Sequence, residues 1–280
     1  MTENCLCDTT IMINFCFGST RTESLIQDKT KNLEKYITYI IFGEFVRTIY
    51  DTIRTLLNHF LKNEDIINEF DDITEFVLDV RKDLYQFSGQ KANLMDKLIP
   101  AMIKEIKSKI SVYKNNKFPI QMAINTIIND FNSLKERDVL SNFSLLKTSF
   151  RCLNFQRQLF FNSNRNNVEL DRLNCPNCKI KALIHFKTKY SKEMGQFYKN
   201  FESLTKKGFT TTEKKKLKKS FEFFMQYKNG DNINGNKRYC WKLADIYIVL
   251  EAPNDFIILT TNVRHQQPFA NFINKKCEGI

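Results

Sequence analysis

The chain has 280 residues, 42% of them hydrophobic, enough to bury a sizeable core or a core with a second lobe. Its 8 Gly and 5 Pro exclude a collagen-like, linker-rich or many-turned all-β protein and favour long helices. Lys and Arg number 43 against 31 Asp and Glu, and the resulting +12 favours a polyanionic partner such as nucleic acid.

No segment reaches the roughly 18 apolar residues that span a bilayer. The longest apolar stretch, near Ile37–Val46, is broken by Thr38, Gly43 and Glu44. MTENCLCDTT carries acids early and lacks the basic start and apolar core of a secretory leader. A cytoplasmic chain without a membrane partner is expected, its 8 Cys present as thiols or metal ligands rather than disulfides.

In chain order, CLCDTTIMINF reads as a short buried strand, Cys5–Cys7, ending at Asp8, with Thr9 or Thr10 opening the next turn and helix. A second element begins near Leu33–Tyr39. IIFGEFVRTIYDTIRTLLNHFLK follows as a helix, because Phe45, Ile49, Ile53, Leu56, Leu57 and Phe60 recur at helical steps. Helical stripes continue from Asn63 to about Asp138, first acidic and then more basic, with Pro100 marking a break. SNFSLLKTSFRCLNFQRQLFF reads as another helix, residues 162–178 as a polar loop, and KIKALIHFKT as a strand or the start of a helix. TTEKKKLKKSFEFFMQYK sets an apolar face against a lysine face, and NGDNINGNK is a turn. LADIYIVLEA then reads as a helix, FIILTTN as a strand ending in a polar turn, and PFANFINK as a short helix. The ends are therefore α/β in character and the middle mostly α.

Three carboxylates share a placement. Asp8 ends an apolar strand, Glu44 sits near the start of a helix, and Asp245 sits in the helix before FIILTTN. Ligands of an open parallel sheet lie beyond the carboxyl ends of its strands. Acids collected there repel one another unless a divalent cation lies between them, and hard oxygen ligands suit Mg²⁺ or Mn²⁺. Taken singly, each has a plainer reading. Asp8 is a favoured helix N-cap, Glu44 and Asp245 are solvated helix acids, and Asn262 is a turn residue.

Together these segments resemble the PIN-domain nuclease family. CLCDTTIMINF is similar to that family's opening strand, with Asp8 in the position of its first acid. ITYIIFGEFVRT is similar to the segment of its second acid, Glu44, with Arg47 following. LADIYIVLEAPNDFIILTTNVRHQQPF is similar to its closing signature, with Asp245 as third acid and Asn262 at the fourth position. The resemblance covers roughly residues 3–60 and 235–275. Thr10 stands where the pattern most often has Asn, and Asn262 where many members have Asp.

The resemblance implies a three-layer α/β/α fold on a central parallel sheet, its core made from residues 1–61 and 231–280. Residues 62–230 would then be a mainly helical insertion or enlarged lobe. It also implies a metal-dependent endoribonuclease, such as a toxin or defence effector, acting on RNA or else DNA. A protein inhibitor or a second copy of the chain is a further expected partner. Asp8 and Asp245 would ligate Mg²⁺ or Mn²⁺, with Glu44 ligating directly or through water. Asn262 would orient water or phosphate, and Thr9 and Thr260 would donate hydrogen bonds. Arg47, Arg264 and His265 would contact phosphate. The alternatives are a catalytically weak PIN-like module that binds nucleic acid or protein through the basic lobe, and an all-helical interaction protein whose acids never meet.

CPNC, Cys175–Cys178, has the spacing of half a structural zinc site, and His185 is the nearest imidazole. Without a second such pair, free thiols are the alternative. Lys206–Lys219 holds seven lysines and reads as a phosphate-backbone track or a solvated helix face.

Overall fold

Cys5, Leu6 and Cys7 are consecutive and all fully buried. Successive side chains of a strand face opposite ways, so both faces of this strand are covered, as in the middle of a parallel sheet. The computed structural model shows such a sheet. It describes residues 3–17, 20–62, 125, 128–129, 132–133, 139–151, 158–162, 167–170, 175–206, 222 and 243–280. The first half of the chain supplies β1 (Glu3–Cys7), α1 (Thr9–Phe17), α2 (Thr20–Thr30), β2 (Leu33–Ile37) and α3 (Tyr39–Lys62). Next come β3 (Ser144–Leu145), β4 (Leu159–Asn162), β5 (Asn167–Leu170), α4 (Cys175–Lys189) and α5 (Ser191–Lys206). The chain closes with α6 (Ala244–Glu251), β6 (Ile257–Thr260), α7 (Val263–Phe272) and β7 (Lys276–Gly279).

Five strands form one sheet in the order β3-β2-β1-β6-β7, with every neighbouring pair parallel. Leu6 is level with Tyr36 of β2 on one side and Ile258 of β6 on the other. From β1 the chain builds outward through β2 and β3; much later, β6 and β7 add to the opposite side. The strand order therefore reverses between β1 and β6, and the crevice beyond their carboxyl ends is where open α/β sheets hold ligands. The fold class is thus α/β, with a parallel sheet and flanking helices.

Two helices start from their strands in the same way. Asp8 follows β1 and accepts the Ile11 N–H on Oδ1 at 3.0 Å; Thr38 follows β2 and accepts the Ile41 N–H on Oγ1 at 3.2 Å. Each side chain satisfies a donor in the first turn that has no partner within the helix. The strand-to-helix transition thus takes a single residue. Along α3 the expected stripe buries Phe45, Ile49, Ile53 and Leu57. Phe186 of α4 stacks on Tyr247 of α6 with ring centroids 3.8 Å apart, and Phe197 of α5 meets Phe269 of α7 edge-on at 6.0 Å. Among the described residues no helix is long and apolar enough to cross a membrane.

Several sequence expectations are corrected. The segment read as a helix over SNFSLLKTSFRCLNFQRQLFF contributes two strands. Ser144–Leu145 pairs with Tyr36–Ile37, and Leu159–Asn162 pairs antiparallel with Asn167–Leu170. That hairpin and the start of α4 also replace much of the expected loop at 162–178, and CPNC opens a helix rather than a turn. For Ser144–Leu145 a partner distant in sequence outweighs local preference. β3 also shows that the stretch 62–230 contributes to the central sheet. The stripes expected between residues 63 and 124, and the lysine segment beyond Lys206, lie outside the described residues.

Lys275 is buried at the carboxyl end of α6. Its Nζ donates to Val249 O at 2.9 Å, Leu250 O at 3.0 Å and Ala252 O at 2.5 Å. A cation there satisfies carbonyls at a helix end and complements the negative pole. Desolvation lowers its pKa to about 8, against the pull of Glu193 and Glu251. Lys275→Met is expected to lower the stability of the fold by about 1.5–3 kcal/mol, the range for hydrogen bonds to a charged group. Urea denaturation followed by circular dichroism measures it, and an unchanged midpoint would contradict the capping role.

Candidate functional site

The site begins with Asp8, a carboxylate that is 2% exposed at the end of β1. Burying it demands partners, and four donors supply them. Oδ1 accepts the Thr10 hydroxyl at 2.6 Å and the Ile11 N–H at 3.0 Å; Oδ2 accepts the Thr260 hydroxyl at 2.6 Å and Gln266 Nε2 at 3.1 Å. A carboxylate has about four acceptor positions, so all are in use. The two threonines extend the network. Thr260 Oγ1 accepts the Asn262 N–H at 2.8 Å, and Thr10 Oγ1 accepts the Thr261 N–H at 3.1 Å. Asp8 N donates to Leu259 O at 3.0 Å. β1, α1, β6 and α7 are thus tied together at the strand-order reversal.

Glu44 comes from the second turn of α3, and its Oε2 accepts the Thr9 hydroxyl at 2.6 Å. Asp245 comes from the first turn of α6, with His265 Nδ1 4.0 Å from its Oδ2. Asn262 Nδ2 lies 2.9 Å from His265 Nδ1.

These acids shift one another. Desolvation pushes Asp8 up to about 6; its hydrogen bonds oppose this, and the Asp245 charge adds to it. Glu44 rises to about 7 through burial, then through the charges of Asp245 and Asp8, against Thr9 and Arg47. Burial also raises Asp245, while His265 and Gln266 pull it down. The Asp245 side chain is 40% exposed. Water at its outer edge softens the effect of burial there, whereas Asp8 has no such relief.

The structure therefore brings together Asp8, Thr9, Glu44, Asp245, Thr260, Asn262 and His265. Arg47 lies one turn beyond Glu44 and pairs with Asp51 at 3.2 Å. Arg264 is exposed in the first turn of α7. Among the described residues no three His, Cys, Asp or Glu side chains form a group able to hold one metal ion. Asp8 also proves to be a helix cap, the plainer of its two readings. Thr10, read as opening the turn after Asp8, and Gln266 were not among the expected site residues. The signals were a hydroxyl two residues after the first acid and an amide one turn after Asn262.

The zinc expectation gains no geometry. Cys175 and Cys178 fall in the first turn of α4, with side chains outside the described residues. His185 packs against the Phe150 ring at 5.4 Å, and burial lowers its pKa. Comparison of the chain with protein-family models, curated proteins and solved structures gives no match.

The raised acids set a pH dependence. From ordinary values of 3.8 and 4.5, Asp8 and Glu44 bind protons more tightly folded than unfolded. Their contribution is full below about pH 4 and is lost as pH rises through about 6 and 7. Glu251, raised to about 8 by burial, extends the trend. Thermal melting should occur at a higher temperature at pH 5.5 than at pH 8, and Glu44→Gln should narrow the gap. A gap unaltered by Glu44→Gln would contradict the assignment. Thr260→Val, which removes a fully buried hydroxyl from Asp8, should cost about 1–3 kcal/mol in urea titration.

Proposed function

We propose that this chain is a PIN-like, Mg²⁺- or Mn²⁺-dependent endoribonuclease whose reaction takes place beyond the carboxyl ends of β1 and β6. One observation carries the reading: Asp8, Glu44 and Asp245 lie close enough for one charge to raise another's proton affinity. They reach that position from both ends of the chain, on separate elements. Like charges held together favour a positive charge between them. The site's oxygen donors suit a hard divalent cation better than zinc or copper. The sequence of elements supports the same reading, with an acid after the first strand, an acid in the helix after the second, and T-x-N after the strand that follows Asp245. So does the net charge of +12, which attracts a polyanion.

Glu44 and Asp245 would hold the cation, and Asp8 would join them by giving up one of its four protein donors. When bound, such a cation supplies Lewis acidity at a phosphoryl oxygen and lowers the pKa of a coordinated water. The chain's own residues would do the remaining work. The Thr9 hydroxyl holds the Glu44 carboxylate in place. Thr260 fixes both Asp8 and the backbone of Asn262, so the Asn262 amide is positioned to orient water or phosphate. His265 and Arg264, in the first turn of α7, would meet the phosphate backbone, with Arg47 behind Glu44.

The test is cleavage of end-labelled RNA. The parent should cut in Mn²⁺ and stop in EDTA, and Asp245→Asn should lower the rate at least about a hundredfold, as expected on loss of a group that stabilises the transition state. Asp245 suits the test because its side chain is partly exposed. Equal rates for parent and variant would sink the reading. A second reading is favoured by the saturation of Asp8, whose acceptor positions are all filled. A binding module with weak or no activity would show salt-sensitive RNA binding that survives Asp245→Asn.

A further inference from the structure

Residues 146–151, LKTSFR, follow β3 beyond the carboxyl end of the sheet and are tied to β2, α3, α4 and α6. Leu146 N donates to Ile37 O at 2.8 Å, which extends the ladder with β2. The buried Ser149 hydroxyl accepts the N–H of Tyr39, the first residue of α3, at 3.2 Å and donates to Leu146 O at 2.7 Å. Phe150 N donates to Glu251 Oε1, on an acid of α6 that is 4% exposed. Lys189, at the end of α4, donates from Nζ to Thr148 O at 2.7 Å. A basic segment is thereby held in one place.

What it presents is charge on a fixed frame. Lys147, Arg151 and Lys189 are exposed. The Arg151 guanidinium lies over the Tyr39 ring, 5.9 Å from its centroid, and Lys189 Nζ lies 5.2 Å from that of Tyr190. At such distances the face of the ring attracts the cation, so Tyr39 restrains Arg151. The pair stands on the same rim as Asp8. Leu6 is level with Tyr36, which sets Asp8 beside Thr38, and Tyr39 follows. Glu44 lies further along the same helix, about 7.5 Å up its axis from Tyr39.

Cations set among aromatic rings suit a single-stranded nucleic acid. Phosphates meet the charges, and unpaired bases stack on rings or on guanidinium planes. A duplex offers the same phosphates but keeps the faces of its bases stacked on one another. Resting on the reading above for its substrate, RNA, we propose that the Tyr39–Arg151 pair and the basic residues around it bind an unpaired stretch of RNA beside the acids. A base stacks on the guanidinium that Tyr39 backs, and Lys147 and Lys189 meet the neighbouring phosphates. This binding needs no divalent cation. Glu251, through the N–H of Phe150, fixes the backbone next to Arg151 and so where the guanidinium stands.

Fluorescence anisotropy of the full chain in EDTA reads binding without cleavage. The probes are a labelled single-stranded RNA and the same RNA annealed to its complement. Arg151→Lys keeps the charge and loses the plane. It should weaken single-strand binding about tenfold, change duplex binding less than about twofold, and leave the salt dependence as it was. Tyr39→Leu should do the same. Lys147→Ala should instead weaken both RNAs and lower the slope of log affinity against log salt by about 0.7 on the single strand. Equal single-strand affinity for Arg151→Lys and the parent overturns the proposal, as does an equal loss on the duplex or a parent that binds neither RNA. If the parent cuts RNA in Mn²⁺ while Arg151→Lys binds as the parent does, the nuclease reading stands and the platform falls. If the Arg151→Lys loss is found in a chain that cuts no RNA, the platform stands and the nuclease reading falls. Should Tyr39→Leu not fold, Arg151→Lys decides alone, because that position is exposed and the cation is kept.

Discussion

The buried carboxylate of Asp8 is the point on which the local structure converges. An ionised acid that is 2% exposed persists only if its oxygens are bonded. Its four donors come from α1, β6 and α7. Satisfying this one group sets where α1 begins, how the end of β6 lies against β1, and which face α7 turns inward. At the strand-order reversal β1 and β6 are joined by their backbone ladder but by no short connection. Asp8 adds a side-chain tie between them.

The same atoms serve the fold and the proposed chemistry. Cap and ligand are not competing identities for Asp8, because a helix cap at the carboxyl end of a central strand already stands on the rim where ligands bind. The cost is electrostatic. Bringing Glu44 and Asp245 toward Asp8 raises proton affinities in a region already desolvated. Lys275 shows the opposite arrangement, a buried cation held by the carbonyls at the far end of the helix that carries Asp245. The two ends of α6 therefore sit in contrasting fields, acidic at its first turn and cationic at its last.

Much of the site was legible before the fold. The acids at 8, 44 and 245 stood out because each interrupts or opens an apolar segment, and periodicity assigned those segments to a strand and two helices. The stripe of α3 and the helix–strand–helix run from Ala244 to Phe272 follow from local pattern as well. Other parts left no local trace. KCEG at 276–279 has no strand pattern and becomes β7 through its parallel ladder with Ile257–Thr260. Ser144–Leu145 is a strand because Tyr36 and Ile37 lie beside it. Gln266 looks like any polar helix residue until α7 packs against the rim.

By itself, the sequence determined the elements with a strong period, the capping residue types, the excess of positive charge and the three acids worth watching. These depend on neighbours within a few residues and on composition. Only the tertiary structure decided that Asp8 and Thr260 share a hydrogen bond across a gap from residue 8 to residue 260, and that CPNC opens a helix. It also decided that the buried Gln266 amide donates to Asp8. The physical reason is that sheet order and burial are set by pairings between distant segments. A residue's partners, and hence its charge state and chemistry, exist only once those pairings have formed.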